Sequence, residues 1–313
     1  MAKIDVHHHV IPAFYRDAVY EAGVGPSIGR YPAWTPELAL EIMDRHDIAV
    51  AMLSEAQPGV QFLSGEAALT LARRCNDYKA ELVARIPQRF GAFGLVPMVG
   101  IDGAIAECRH CLETLRFEGV CLFASYGEHF LGGGAFDPLM AFLDEHAAVV
   151  FVHPTRHASS QSLALPWPAF MFEYVIDTTR AAMNLVFSGR LARYPRIRWI
   201  LAHGGGTLPY VAWRLSVAPI IDSRLPQMSR ADIMGAFAAF WYDNALACGA
   251  ETFGTLSRVA AADHIVFGGD WPFCNERVLT EEVAAFTAPG FLSEQKMLAI
   301  SRTNALALFP ARA

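Results

Sequence analysis

The sequence predicts an α/β fold in which eight βα units close into a (β/α)8 barrel, with long βα loops over the face where the strands end. Eight short apolar runs, rich in β-branched and aromatic residues, alternate with helical or loop segments along the 313 residues. The runs are nearly continuous in apolar residues, as parallel strands covered on both faces are. No Pro/Gly-rich linker divides the chain, which favours a closed barrel and a single domain over residues 1–313.

The order of elements follows from these runs. The strands are predicted at residues 3–9, 48–54, 90–97, 119–125, 148–153, 197–203, 239–245 and 265–270. Amphipathic segments predict helices at residues 36–46, 64–86, 137–145 and 177–193. Thr35 before Pro36 is typical of a helix start, since threonine caps the first turn and proline fits the first helical position. Residues 21–32 and 159–168 predict loops at the face where barrel enzymes grip substrates.

Composition excludes several classes of protein. A hydrophobic content of 53% with 18% charged residues indicates a large core and argues against disorder. With a net charge of −6 and scattered arginines, the sequence does not predict the basic patch that binds nucleic acid. The sequence contains no uninterrupted apolar run of about 18 residues, so no membrane span is expected. The chain begins with a strand rather than a signal-peptide core, so we expect a cytoplasmic protein.

The six cysteines are expected to be reduced, buried thiols, as in cytosolic proteins. Cys108 and Cys111 form a CxxC pair, but the pair lies in a predicted helix over residues 103–115. A zinc knuckle needs a second such pair, and none follows. The pair is therefore not expected to bind metal.

Polar residues stand at the ends of four predicted strands. They are His7, His8 and His9 on the first strand, His153 on the fifth, His203 on the sixth and Asp270 on the eighth. Because alternate residues of a strand share a face, His7 and His9 should point into the barrel while His8 points outward. A single buried histidine is more often a satisfied core residue than a ligand, but four polar groups on one rim would each need a buried partner. Together with His153 and Asp270, the two inward histidines form a ligand set suited to Zn²⁺ or Mn²⁺.

Four segments resemble the signature of the amidohydrolase superfamily, within its amidohydrolase-related family 2. They are residues 5–9 (DVHHH), 151–154 (FVHP), 202–206 (AHGGG) and 267–273 (FGGDWPF). The chain resembles the branch that contains 2-amino-3-carboxymuconate-6-semialdehyde decarboxylase, and the likeness covers nearly its whole length. The motifs are specific for the family and much less specific for the substrate.

The resemblance implies one ion and a pair of catalytic residues. Two-metal members of the superfamily carry a carboxylated lysine at the end of the fourth strand, and residues 119–125 (GVCLFAS) contain no lysine. The ion implied is Zn²⁺, with Mn²⁺ as the alternative, because the ligand types do not separate the two. In the family, the histidine that matches His203 polarises or deprotonates the metal-bound water, and the aspartate that matches Asp270 also carries a proton. The resemblance further implies a homodimer.

Three residues are candidates for binding a carboxylated substrate. Arg30 and Arg214 match arginines that the family uses for this purpose, and arginine binds carboxylate with two parallel hydrogen bonds. Each could equally be a surface residue. Trp167, with neighbouring phenylalanines at 170, 172 and 273, could form an aromatic wall, although such residues are more often core. The family's second arginine is replaced by residues 217–219 (VAP), which argues against a dicarboxylated substrate.

These observations predict a metal-dependent, non-oxidative decarboxylase of an aromatic or unsaturated (muconate-like) carboxylic acid. The alternative is a hydrolase of a lactone, a cyclic amide or a ring-cleavage product, since the same ligands would activate water for attack. A non-catalytic metal-binding or scaffold protein would be expected to have lost ligands, and all four are present. Release of CO2 distinguishes the decarboxylase from the hydrolase.

Overall fold

A computed structural model, which describes residues 2–162 and 165–312, contains the predicted barrel. Its strands are β1 (Lys3–His9), β2 (Ile48–Ser54), β3 (Phe90–Leu95), β4 (Gly119–Phe123), β5 (Val149–His153), β6 (Arg198–Leu201), β7 (Trp241–Asp243) and β8 (Ile265–Val266). They are parallel and pair in chain order from β1 to β8. The ring closes where the Val6 amide donates to the Phe267 carbonyl at 3.0 Å and the His9 amide donates to the Trp271 carbonyl at 2.7 Å. The (β/α)8 prediction is confirmed; a single domain over residues 1–313 stays a prediction.

Several predicted strands end later than the observed ones. The largest difference is at the eighth strand, predicted over residues 265–270, of which only Ile265 and Val266 pair with β7. Asp270 has a φ of 50°, so the backbone there has already left the extended conformation that a ladder requires. The predicted strand ends are instead short segments that hold the polar residues at the barrel rim.

The helices alternate with the strands as predicted. They are α1 (Ala13–Glu21), α2 (Pro36–Arg45), α3 (Gly65–Arg85), α4 (Ile101–Arg109), α5 (Asp137–Glu145), α6 (Glu173–Phe187), α7 (Arg190–Arg193), α8 (Leu208–Ile221), α9 (Arg230–Ala239), α10 (Ala250–Leu256), α11 (Glu276–Phe286), α12 (Glu294–Leu298) and α13 (Asn304–Leu308). Thr35 caps α2, because its side chain accepts the Leu38 amide at 3.1 Å. The helix predicted over 177–193 begins earlier, at Glu173, and is interrupted by Gly189, which has a φ of 75°.

The core has two layers. Inside the barrel, side chains such as Val6, Phe93 and Phe151 pack together, and a larger layer lies between the strands and the helices. All six cysteines are buried and unpaired, including Cys108 and Cys111, as the composition predicted. In residues 2–162 and 165–312, no helix is both long and apolar enough to cross a bilayer.

A β-bulge in β1 sets the direction of the histidines. Relative to β2, β1 gains one residue between Asp5 and His8. Val6 packs inside the barrel, and the next residue, His7, packs edge-on against the interior Phe151 with ring centroids 4.9 Å apart. Strict alternation from Val6 would have turned His8 inward instead. The extra residue reverses the faces, so that His7 and the histidine two positions later point into the barrel mouth.

Candidate metal centre

Four side chains from three strand ends meet at the C-terminal mouth of the barrel. The ligand-type atoms of His7, His9, His153 and Asp270 all lie within 4.8 Å of one another, and all four residues are buried. The Nε2 atoms of His7 and His9 are 3.0 Å apart, and they lie 3.3 and 3.0 Å from Oδ1 of Asp270. Two imidazole nitrogens that face each other and one carboxylate oxygen can share a single cation. The residues predicted as ligands are therefore brought together.

Each histidine of the cluster is oriented by a hydrogen bond at its other nitrogen. Nδ1 of His7 donates to Oδ2 of Asp243 at 2.7 Å. Nδ1 of His9 donates to the Ser54 carbonyl at 3.2 Å, and Nδ1 of His153 donates to the Pro154 carbonyl at 2.7 Å. Carbonyl and carboxylate oxygens only accept, so Nδ1 carries a proton in each ring and Nε2 is the nitrogen left to face the cluster. This is the tautomer that a metal-binding imidazole requires, and the donor set fits one divalent ion.

Burial and charge set the protonation of the cluster. Burial lowers the pKa of His9 and of His153 below the usual range, which leaves both imidazoles neutral. Burial also disfavours charge on His7, but Asp243 and Asp270 outweigh it and raise the pKa of His7 to about 10. In turn, His7 holds the pKa of Asp270 well below its usual range despite burial. A cation can replace the proton at His7 and keep the balance of charge.

His203 lies beside this four-residue cluster, and with His7 and Asp243 it forms a second buried group whose ligand-type atoms lie within 4.8 Å of one another. Its ring centroid is 4.8 Å from that of His7 and 6.3 Å from that of His153. Burial lowers the pKa of His203. The following glycines at 204, 205 and 206 all have positive φ, and a Cβ at Gly206 would overlap the Val175 carbonyl oxygen. This tight turn carries the chain from β6 into α8 and leaves His203 at the barrel mouth.

Asp243 is a site residue that the sequence reasoning missed. It ends β7, and besides His7 it accepts the His203 amide at 2.9 Å and the Ala245 amide at 3.1 Å. The neighbouring Gly268 has no side chain because a Cβ there would lie 2.9 Å from Cβ of His7 and 3.0 Å from Cβ of Asp243. The same signal that found the other four residues, a polar residue at the end of a barrel strand, could have found Asp243.

The cluster opens into a cavity of about 1070 Å³. His153, His203 and Asp270 form part of its wall, and Asp270 is 8% exposed. The remaining wall is largely apolar, and it includes Ile28, Pro168, Phe170, Met171, Tyr174, Leu246, Phe273 and Val278. Apolar pockets with a few convergent polar groups are typical of binding sites for small molecules.

Comparison with known proteins decides the family. A family model described as amidohydrolase matches residues 4–311 of the chain. A 6-methylsalicylic acid decarboxylase from Penicillium expansum is 36% identical over 317 residues, which cover 99% of this chain and 97% of that protein. The chain belongs to the amidohydrolase family.

Two further amidohydrolases locate the branch. A 2-amino-3-carboxymuconate-6-semialdehyde decarboxylase from Dictyostelium discoideum is 23% identical, over 87% of this chain and 82% of that protein. The crystal structure of a dihydroxybenzoic acid decarboxylase from Polaromonas, with bound manganese and the inhibitor 2-nitroresorcinol, shares the fold. Its TM-score is 0.85 at 24% identity, covering 100% of this chain and 98% of that one. The decarboxylase branch of the family is confirmed, and with it the class of carboxy-lyases.

The three residues expected to bind substrate are not part of the cavity wall of this amidohydrolase. Arg30 and Arg214 are exposed, and neither is among the lining residues. Arg214 lies one turn further along α8 than Tyr210, which does line the cavity. Trp167 is 67% exposed, and the wall at this point is formed by Pro168 beside it. A substrate-binding role for Arg30, Arg214 and Trp167 stays a prediction. Of the other predicted aromatic residues, those at 170 and 273 line the cavity and that at 172 does not.

Proposed function

We propose that this amidohydrolase is a metal-dependent, non-oxidative decarboxylase of a 2-hydroxybenzoate that carries an apolar ring substituent. The observation that carries the proposal is the His/Asp cluster opening into a largely apolar cavity. The 36% identity to a 6-methylsalicylic acid decarboxylase over nearly the full length of both chains supports the substrate class. The homodimer, the cytoplasmic location and the absence of a nucleic-acid partner stay predictions.

Nε2 of His7, His9 and His153 and Oδ1 of Asp270 would hold a single ion. Three imidazoles and one carboxylate suit both Zn²⁺ and Mn²⁺, so the choice between them is a matter for metal analysis. When bound, such an ion polarises the carboxylate or hydroxyl oxygen of a substrate and neutralises its charge.

The protein's own part in the reaction is to deliver a proton. The ring carbon that bears the carboxylate gains a proton, the bond to the carboxylate carbon breaks, its electron pair returns to the ring, and CO2 leaves. Asp270 and His203 both face the cavity, and because the pKa of each lies below its usual range, they would pass a proton on to the ring carbon rather than store one. Oδ1 of Asp270 contacts the histidines, whereas its Oδ2 lies 3.5 Å from Sγ of Cys274 in the cavity wall. We assign the proton transfer to this pair of residues.

Charge in the cavity favours a substrate with one carboxylate. Among the described lining residues there is no lysine or arginine, and Glu251 adds a second acidic group to Asp270. An ion can balance one substrate carboxylate, but a second carboxylate would have no cation beside it and would face Glu251. A substituted hydroxybenzoate therefore fits better than a muconate dicarboxylate.

The test is to load the protein with Zn²⁺ or Mn²⁺ and to incubate it with salicylate, 6-methylsalicylate, 2,6-dihydroxybenzoate and a panel of lactones. We expect one CO2 and one phenol for each hydroxybenzoate consumed, and no turnover after treatment with a chelator. Lactone opening with ¹⁸O taken up from labelled water, and no CO2 from any acid, would replace the proposal by the hydrolase alternative.

A variant at His203 separates the loss of turnover from the loss of the ion. His203→Ala should keep the ion, because the residue lies outside the four-residue cluster, yet lose turnover of the hydroxybenzoate. Metal content is measured by elemental analysis and turnover by CO2 release. Full activity would remove His203 from the reaction, and loss of the ion would make it a ligand.

A further inference from the structure

Leu246 has an unusual backbone conformation for a leucine. Its φ is 53°, in the left-handed region that residues with a bulky side chain avoid. It lies three residues after Asp243, in the loop that leads from β7 toward α10. A glycine or asparagine would take this conformation at lower cost, so the local backbone gives no reason for leucine here.

The Leu246 side chain is held in the cavity instead of the core. It lines the cavity and is 53% exposed, although it is a large apolar side chain. The cavity is the same one that His153, His203 and Asp270 line. Leu246 thus gains neither full burial nor a relaxed backbone from its position, which is what a residue kept for contact with a ligand would show.

A buried carboxyl group fixes the loop in this conformation. Oε1 of Glu282, on α11, accepts the Leu246 amide, and Glu282 is only 8% exposed. Its Oε2 is buried without a hydrogen-bond partner among the described residues. Burial, with added repulsion from Asp270 and Asp243, raises the pKa of Glu282 to about 8. Burial of the Glu282 carboxyl group is therefore unfavourable. The hydrogen bond that it accepts there, from the Leu246 amide, orients Leu246.

The rest of the loop is braced as well. The amide before Leu246, that of Ala245, donates to Oδ1 of Asp243 at 3.1 Å, and the amide after it, that of Ala247, donates to the Asn244 carbonyl at 3.0 Å. Asn244 in turn accepts the Gly268 amide at 2.9 Å. The loop is therefore tied to the ends of β7 and β8, and Leu246 has a fixed place relative to the metal cluster.

We propose that Leu246 is a specificity-determining residue that packs against the apolar ring substituent of the substrate, and that Glu282 is the positioning residue that holds it there. This inference rests on the proposed function, because it assigns one wall of the same site. Removal of an apolar contact of this size changes discrimination between related substrates by about tenfold or more.

The experiment compares 6-methylsalicylate with salicylate on the ion-loaded protein. Both kcat/KM and the calorimetric Kd are measured for wild type, Leu246→Ala and Leu246→Gly, with Leu298→Ala as the control at a half-exposed leucine outside the cavity wall. We expect both variants at 246 to lose about tenfold of the preference for 6-methylsalicylate, while the control keeps it. Leu246→Gly should at the same time keep or raise Tm, since glycine relieves the left-handed backbone.

Glu282 is tested with a pair of variants. Glu282→Ala removes the acceptor of the Leu246 amide and should lower the preference, whereas Glu282→Gln keeps an oxygen at this position and should restore it. An unchanged preference in Leu246→Gly with a raised Tm would overturn the inference, because Leu246 would then be only a strained loop residue. If no acid releases CO2 but the Kd ratio still shifts in the variants at 246, the proposed reaction fails while the specificity role stands.

Discussion

At the scale of single residues, three of the six described non-glycine residues with positive φ, His203, Leu246 and Asp270, line the cavity beside the candidate metal site. His203 and Asp270 have φ values of 55° and 50°, each at a point where the chain turns out of the barrel. A left-handed non-glycine residue costs about 1–3 kcal/mol, so the surrounding structure must hold it there. At Asp270 the amide donates to the His7 carbonyl at 2.7 Å and provides that hold. The turn allows the backbone to leave the barrel while the carboxylate stays directed at the histidines.

Asp243→Asn should weaken ion binding about 10- to 100-fold, as changes to groups that orient metal ligands commonly do. Oδ1 of Asp243 accepts two backbone amides, so the new side-chain oxygen will stay there and the NH2 group will face His7. His7 must then accept at Nδ1, which moves its proton to Nε2 and blocks that nitrogen for a metal. The affinity is measured by competition with a chromophoric chelator. The control, exposed Asp263→Asn, should bind as wild type, and equal affinities in both variants would contradict the orienting role.

Glu282 makes stability depend on pH. Burial raises the pKa of Glu282 to about 8 in the folded chain, whereas its usual value is 4.5. The folded state therefore binds the extra proton between these values, and stability is lost as the pH rises through about 8. The wild type should lose more free energy of unfolding than Glu282→Gln between pH 5.5 and pH 8.5, by at most about 1.4 kcal/mol for each pH unit. Urea denaturation of both proteins at the two pH values measures this, and parallel curves would refute it.

At the scale of elements, the site depends on close approach between strand ends. The bulge in β1 turns His7 inward, and Gly268 lets the segment after β8 pass next to the side chains of His7 and Asp243. In a barrel each strand contributes one or two residues to the mouth, so small shifts of one strand end move the whole set. Metal geometry is consequently set by backbone spacing as well as by the ligands themselves.

Gly268→Ala should lower ion affinity without removing any ligand. The added Cβ would lie 2.9 Å from Cβ of His7 and 3.0 Å from Cβ of Asp243, so one of these side chains must move. Gly235→Ala in α9 is the matched control, because a Cβ there meets no atom within 4 Å. The control should gain up to about 1 kcal/mol of stability. Chelator competition and thermal unfolding are measured on both variants. Unchanged ion affinity in Gly268→Ala would show that the strand ends shift to make room for the added methyl group.

At the scale of the whole molecule, an ion pair inside the protein joins helix to barrel. Nζ of Lys79, on α3, donates to Oε2 of Glu55 just after β2 and, at 2.7 Å, to the Phe93 carbonyl on β3. Both charged side chains are completely buried. Glu55 directly follows Ser54, whose carbonyl orients His9. The pair therefore connects the packing of α3 with the rim that carries the site.

Lys79→Met should destabilise the protein by about 3–5 kcal/mol, because it leaves the carboxylate of Glu55 buried without a counter-charge. The double variant Glu55→Gln with Lys79→Met removes both charges and should recover most of the loss. Urea denaturation at a fixed ion concentration gives the free energies, since bound ion adds its own stabilisation. A single variant as stable as the wild type, or a double variant no better than the single, would show that the pair carries little of the stability.

The barrel, the family and the four-residue cluster could all be predicted from the sequence. Apolar runs mark strands, and the face on which a barrel carries its site is a property of the fold, so His153 and Asp270 could be placed at one rim from their positions alone. The order of the strands along the chain was enough to bring residues more than a hundred positions apart to the same mouth.

Only the tertiary structure decided which neighbours orient that cluster and which side chains face the cavity. Asp243 and Glu282 act through hydrogen bonds to residues distant in sequence, and a linear pattern does not contain such distances. The inward direction of His7 depends on a bulge, and the exposure of Arg214 on how α8 packs, both of which follow from contacts between elements. Residue types and their periodicity determine what the chain can build, whereas close packing in three dimensions determines which groups meet.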